Sequence, residues 1–319
     1  MQKNASGCGK RGFMKYCVIG AGGTGGCIAA YMARAGKDVT VIARGGHLEK
    51  IRSQGIRLET VQGTEVVSPV RAHEMSSYRD KPDVVFVCVK EYSLDSVVPF
   101  IRNVSKKDTI VIPVLNLYGT GARLQKELPG LLVADGCIYI AAQIKEPGTI
   151  QMNGTIFRIV YGVRDPGDMR LELFHIAEDL RQSGIEAVLS ENIRRDALQK
   201  FSYVSPMAAA GMYFHAKAER FQVTGDERDT FAALVKEIDR LAEAMGISFQ
   251  VDIVRNNLAI LDALSPEAST SMQRDLEAGK PSEIDGLVFA VLCMAEQYGV
   301  ELPVYQRIAK ELVRFRPQP

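Results

Sequence analysis

Three observations predict an α/β fold with a doubly wound parallel sheet in the first half of the chain and an all-helical second half. Short β-branched apolar runs at 16–20, 39–43, 84–89, 109–113 and 132–139 alternate with helical patterns. Runs this continuously apolar belong to parallel strands covered on both faces. The first of them breaks into glycines before an amphipathic segment resumes. Strand signals then stop after Leu189, and from 192 to 315 nearly every segment has helical spacing.

The first strand and its turn carry the most information. Tyr16-Cys17-Val18-Ile19 leads into Gly20-Ala21-Gly22-Gly23-Thr24-Gly25-Gly26, and a helical pattern follows over 27–36. Gly20 suits a tight turn, Gly22 lets the backbone approach a pyrophosphate, and Gly25 lets the helix pack closely on the strand. The first-turn amides around Gly23 and Thr24 then face the anion. A second strand at 37–43 completes the context that a Rossmann-type dinucleotide site requires. Gly26 stands where a P-loop would carry lysine, which excludes that alternative.

At the end of the second strand, where an NAD-specific site places Asp or Glu against the ribose hydroxyls, this chain has Ala43-Arg44. A guanidinium there pairs with a 2′-phosphate in a bidentate contact, so NADP(H) is the expected cofactor. Lys90 ends the strand at 84–89 and Asn116 follows the next one. The carboxyl ends of strands line the ligand crevice of such sheets, so both are expected at the cofactor and substrate.

Two antiparallel insertions are expected. The segments 56–61 and 64–70 flank Gln62-Gly63, and 148–152 and 155–161 flank Asn153-Gly154. The helical half is punctuated at Gly225, Gly246, Ser265-Pro266, Gly279-Lys280-Pro281 and the stretch 299–303. Pro281 suits a first helical turn, with Ser282 and Glu283 as its capping residues, and His215 reads as a helix-face histidine. Residues 1–13 lack periodicity and read as a disordered extension. Residues 14–190 form the expected nucleotide-binding domain and 191–319 the helical substrate domain, with the ligand cleft between them.

Composition narrows the function classes. A formal net charge of +1 gives no long-range field for nucleic acid or an anionic membrane. The six cysteines lie far apart without a CxxC pair, so reduced thiols are expected, and the four histidines lack metal-ligand spacing. No apolar run reaches membrane-spanning length and no secretory leader is evident, which points to a cytoplasmic protein without a metal. Apolar helix faces in the second half leave room for a homodimer.

In the helical half, Lys200 is embedded in an otherwise apolar helix, and 269–276 and 279–286 carry polar residues that packing alone would not choose. With these, the chain from Met14 onward resembles the ketopantoate reductase (2-dehydropantoate 2-reductase) family. The likeness rests on the glycine turn, Arg44, Cys88-Val89-Lys90, Pro147-Gly148, Lys200, Ser271-Met272 with Gln273 and Asp275, and Ser282-Glu283-Ile284-Asp285. It implies NADPH-dependent reduction of 2-dehydropantoate to (R)-pantoate in pantothenate and coenzyme A synthesis. It also implies Lys200 as general acid, Glu283 as organiser of substrate and active site, Ser271 at the substrate carboxylate, and Lys90 and Asn116 near nicotinamide and substrate. An ammonium within reach of a ketone oxygen would stabilise and then protonate it.

The chain departs from that pattern at Val204 and Ala208, four and eight residues past Lys200, where the family typically has asparagines that bond the substrate hydroxyls. Leu117 and Tyr118 also stand between Asn116 and Gly119, where the family's asparagine usually meets glycine directly. The departures raise a second expectation, a reductase of a more apolar 2-oxo acid. A noncatalytic NADP(H) sensor is a third, against which Lys200 and Glu283 speak, because a sensor needs no proton donor.

Overall fold

A computed structural model describes residues 14–316; the extension at 1–13 lies outside the described residues. The chain begins with β1 (Lys15–Ile19), α1 (Gly23–Arg34), β2 (Asp38–Ile42) and α2 (Gly45–Gln54). An antiparallel hairpin follows, β3 (Ile56–Thr60) and β4 (Gly63–Val67), as the Gln62-Gly63 signal predicts. The winding resumes through β5 (Arg71–His73), β6 (Val84–Val87), α3 (Leu94–Val104), β7 (Ile110–Pro113), α4 (Thr120–Glu127) and β8 (Leu132–Val133). The six strands β5-β2-β1-β6-β7-β8 pair in that order, all parallel. The central strands bury almost every residue, which is why they read as unbroken apolar runs.

The second insertion differs from its expectation. Segments 148–152 and 155–161 are not two strands of a hairpin but parts of one long strand, β10 (Thr149–Gly162), whose antiparallel partner is β9 (Asp135–Glu146). The true turn is Pro147-Gly148, with Gly148 at φ +82°. Asn153-Gly154 makes an irregularity in the pairing instead, and Gly154 at φ +78° supplies the conformation that such a bulge needs. Two glycine signals six residues apart competed for the turn, and the apolar run of β9 decided it. After α5 (Leu171–Gln182), β11 (Glu186–Leu189) adds in parallel to β10, completing a second sheet with β3 and β4. Helix α1 is sandwiched between the two sheets, and Ile28, Ile150 and Ile159 share its fully buried core.

Every later element is helical: α6 (Ile193–Phe214), α7 (Ala218–Phe221), α8 (Asp226–Ala244), α9 (Ile253–Asp262), α10 (Ser271–Glu277), α11 (Ala290–Tyr298) and α12 (Pro303–Leu312). Asn192 caps α6 by accepting from Arg195 N–H at 3.1 Å. This helix touches β9 and β10 at its start and α8 and α12 further on, so it ties the two halves together. Its Pro206 is tolerated inside a buried helix in which Ser205 Oγ donates to Leu287 O and meets Tyr305 Oη, each at 2.6 Å. His215 is not on a helix face: it ends α6 as a left-handed cap at φ +50°. Among the described residues no helix is long and apolar enough to cross a membrane.

Candidate active site

The glycine turn has the geometry that its residues require. Gly20 sits at φ +98°, and a Cβ there would lie 2.9 Å from Cys88 O. A Cβ on Gly25 would lie 2.0 Å from Gly20 O, so only glycine lets α1 press this closely on its strand. Gly22 has nothing within 4 Å of its Cβ position and begins a helix without a side-chain cap. Its backbone is therefore open to an anion at the positive end of the helix dipole. Gly23 has a second reason to be glycine: its Cβ would lie 2.3 Å from Ala142 O, because β9 crosses the helix start there. That crossing strand was invisible in the motif.

Gly22, Gly23 and Thr24 form one wall of a cleft of about 710 Å³ at the carboxyl ends of the parallel strands. Lys90 and Asn116 stand on the sheet side, and Ser269, Ser271, Arg274 and Glu283 on the helical side. Of the residues singled out in sequence, these seven line one space: Gly22, Gly23, Thr24, Lys90, Asn116, Ser271 and Glu283. Gly20, Gly25, Arg44 and Lys200 do not line it, and Lys200 meets it only through Asn116. Arg44 is exposed just past β2, with φ −145° and ψ 160°, at the start of α2.

Lys90 and Lys200 occupy opposite electrostatic settings. Lys90 Nζ donates to Asp275 Oδ2 at 3.0 Å and to Glu283 Oε2 at 3.1 Å. Burial works against its ammonium, but the two carboxylates outweigh it and raise its pKa above the ordinary lysine value. Glu283 is buried and accepts also from Glu91 N–H at 3.2 Å, so its carboxylate is fixed from two directions. Lys200 is 9% exposed and donates to Asn116 Oδ1 at 2.5 Å. Burial lowers its pKa, against smaller opposing effects of Cys137 and Glu283. Its ammonium lies 5.7 Å from the centre of the Tyr139 ring, a partner that no local signal announced.

The local structure around Ser271 and Glu283 corrects one expectation and refines another. Pro281, Ser282 and Glu283 do not form a first helical turn; the chain is irregular there and turns helical only at Ile284, with a π turn at Asp285–Phe289. The Glu283 carbonyl accepts the first helical bond from Leu287 N–H at 2.9 Å, and its side chain is thereby released toward Lys90. Glu283 thus stands at the cap position while Pro281 and Ser282 lie before the helix, and Gly286 is tightly seated, its Cβ position lying 2.5 Å from Glu91 Oε2. Ser271 opens α10 behind a capping box made by Thr270 and Gln273. Ala208 is fully buried in the helical core and Val204 packs partly buried against it. Sequence reasoning did not single out Arg274, exposed on the cleft wall, or the Glu91 amide.

A hydride acceptor carbonyl placed in this cleft would have the Lys90–Glu283 pair and Asn116 on its wall, with the Lys200 ammonium one hydrogen bond behind Asn116, a donor set suited to carbonyl reduction. The glycine turn, with its open Gly22 backbone, fits a dinucleotide pyrophosphate. Family models agree with that reading of the two halves. Ketopantoate reductase PanE/ApbA matches residues 16–166, and ketopantoate reductase PanE/ApbA C terminal matches 192–315. The 2-dehydropantoate 2-reductase of Mesorhizobium japonicum is 30% identical, over 87% of this chain and 90% of its own. The crystal structure of a PanE/ApbA family ketopantoate reductase from Ralstonia eutropha JMP134 is 25% identical with a TM-score of 0.85, over 95% of this chain and 98% of its own. A D-mandelate dehydrogenase with NADH and anilino(oxo)acetate shares the fold, with a TM-score of 0.84 at 20% identity over 94% of this chain and 98% of its own. Matched along both of its halves, the chain belongs to the ketopantoate reductase PanE/ApbA family of oxidoreductases.

Proposed function

We propose that this protein reduces 2-dehydropantoate to (R)-pantoate with NADPH, in the pantothenate branch of coenzyme A synthesis. The observation that carries this reading is Lys200: a buried ammonium with a lowered pKa, bonded to the cleft residue Asn116. NADPH, when bound, supplies the hydride. Lys200 then stabilises the developing negative charge on the substrate oxygen and passes it a proton from Nζ, which bulk water later returns. Asn116 holds Nζ toward the cleft until the substrate oxygen competes for it. Glu283 and Asp275 keep Lys90 charged and in place, and Ser271 offers its hydroxyl at the helix start that faces the substrate carboxylate.

The preference for NADPH rests on Arg44, a cation at the strand end where a carboxylate would exclude the 2′-phosphate. Arg44→Ala is expected to raise the KM for NADPH about tenfold or more while leaving that for NADH nearly unchanged. An unaltered preference would remove Arg44 from the site.

One observation favours a second reading of the substrate. Ala208 is sealed in the core and Val204 offers methyl groups, so the turn beyond Lys200 supplies no amide for a substrate hydroxyl. The cleft's own apolar lining, Val114, Leu115, Ile138 and Ile140, would suit a more apolar 2-oxo acid. Steady-state rates over a panel of branched and aromatic 2-oxo acids, each with NADPH and NADH, decide between them. 2-Dehydropantoate is expected to have the highest kcat/KM. A higher value for an acid without a hydroxyl would establish the second reading, and no turnover of any acid despite tight cofactor binding would end both.

A further inference from the structure

His47 lies in the first turn of α2, three residues beyond Arg44, and its ring joins two segments that are far apart in sequence. Its Nε2 lies 2.8 Å from Ala21 O in the glycine turn, and Gly148 N–H donates to its Nδ1 at 3.0 Å. Because Gly148 can only donate, Nδ1 must be bare, and the ring proton therefore sits on Nε2 and points at Ala21 O. The neutral ring is the form that makes both bonds, and burial lowers the His47 pKa and so favours it.

The bond to Ala21 has a consequence one atom further along the chain. A trans peptide is planar, with its C=O and N–H directed to opposite sides. When the Ala21 carbonyl is drawn toward His47, the Gly22 N–H is turned away from His47, and Gly22 itself lines the cleft with Gly23 and Thr24. Gly22 is also the residue whose missing side chain leaves the turn open. Unheld, that peptide could flip, since Gly22 tolerates either orientation, and would present a carbonyl oxygen to the phosphates.

We infer that His47 is a positioning residue for the dinucleotide, holding the Ala21–Gly22 peptide so that its N–H faces the pyrophosphate and tying that turn to the β9–β10 hairpin through Gly148. The inference rests on the dinucleotide reading of the glycine turn and is independent of the substrate. The hairpin end of the link is itself tightly seated: a Cβ on Gly148 would lie 2.8 Å from Lys50 Cβ, and Arg57 N–H donates to Gly148 O at 2.9 Å.

The test is equilibrium binding of NADPH and NADH to the purified protein without substrate, read by nicotinamide fluorescence, followed by KM and kcat for the cofactor with the best acid of the panel. His47→Ala is expected to weaken NADPH and NADH binding by the same factor, about tenfold, and to raise the cofactor KM likewise while kcat at saturation changes little. His47→Gln, whose carboxamide can donate to Ala21 and accept from Gly148, is expected to recover most of the affinity. A common loss for both cofactors separates this role from that of Arg44, which acts on NADPH alone. Unchanged affinity in His47→Ala, a loss confined to kcat, or a loss in His47→Gln as large as in His47→Ala would each overturn the inference. Should the alanine variant not fold, His47→Leu, which keeps bulk but makes neither bond, takes its place: it is expected to lose the affinity that His47→Gln keeps, and equal affinity in the two would overturn the inference. If the unaltered protein binds neither dinucleotide, the reading of the turn fails with it.

Discussion

Lys90 and Lys200 are two lysines of one site with opposite environments. Lys90 faces two carboxylates and has a raised pKa, whereas Lys200 faces a neutral amide and an aromatic ring and has a lowered one. The difference separates two jobs. A cation clamped by Asp275 and Glu283 remains charged through the working pH range and holds the sheet half against the helical half. An ammonium without a carboxylate partner gives up its proton more readily, which is what a donor to a nascent alkoxide requires.

The contrast is broken most severely at Lys200 itself. Lys200→Ala should lower turnover about a hundred- to ten-thousandfold, the usual worth of a positioned proton donor, with NADPH affinity nearly intact. Loss of affinity equal to the loss of turnover would mean that Lys200 serves binding instead. A smaller effect is expected on the other side. Glu283→Gln removes one charge-assisted bond to Lys90, worth about 1.5–3 kcal/mol, so kcat should fall about tenfold or more. Asp275→Asn, at the more exposed partner, should cost less, and the reverse order would show that Asp275 is the principal anchor.

The pH profile sharpens the same comparison. As pH rises through the lowered pKa of Lys200, its ammonium loses the proton that reduction needs, so kcat should fall along an alkaline limb below the ordinary lysine value of 10.5. Lys200→Arg should retain a low rate without that limb; the same limb in the arginine variant would assign it to another group. The smallest effects should appear in thermal unfolding, with opposite signs. Between the lowered folded pKa of Lys200 and its ordinary value, the unfolded chain binds more protons, so this group's contribution favours folding increasingly as pH rises through that window. Below the window its buried charge opposes folding. At neutral pH Lys200→Met should therefore raise the melting midpoint by about 2 °C. Lys90→Met should lower it, because Glu283 is left buried without its cation.

The legible parts of this molecule were those set by local chemistry. The central parallel strands β1, β2, β6 and β7 announced themselves because burial on both faces demands continuous apolar runs, whereas the short edge strand β5 did not and the run 132–139 divides into β8 and the antiparallel β9. The β1 turn was legible because Gly20 must adopt φ +98° and Gly25 must admit a neighbouring carbonyl. The hairpin of β9 and β10 was misread because Gly148 and Gly154 both adopt positive φ, and only pairing with β9 tells a turn from a bulge. Pro281 was misread by a short distance: the helix begins at Ile284, with Glu283 rather than Pro281 at its entry and the Glu283 side chain turned to Lys90.

Read alone, the sequence was sufficient for the class of fold, the glycine turn, the division into a sheet half and a helical half, and the presence of a lysine out of place in an apolar helix. Each follows from periodicity, backbone conformation or side-chain type within a few residues. Tertiary structure alone decided which polar groups meet. Lys200 finds Asn116 across 84 residues, Lys90 finds Glu283 across 193, and His47 finds Gly148 across 101. Such pairs depend on how two sheets and a helical half pack, and packing selects among many polar residues that look alike in sequence. The same packing sets the sign of each lysine's pKa shift, since desolvation and neighbouring charge exist only once the chain has closed around them.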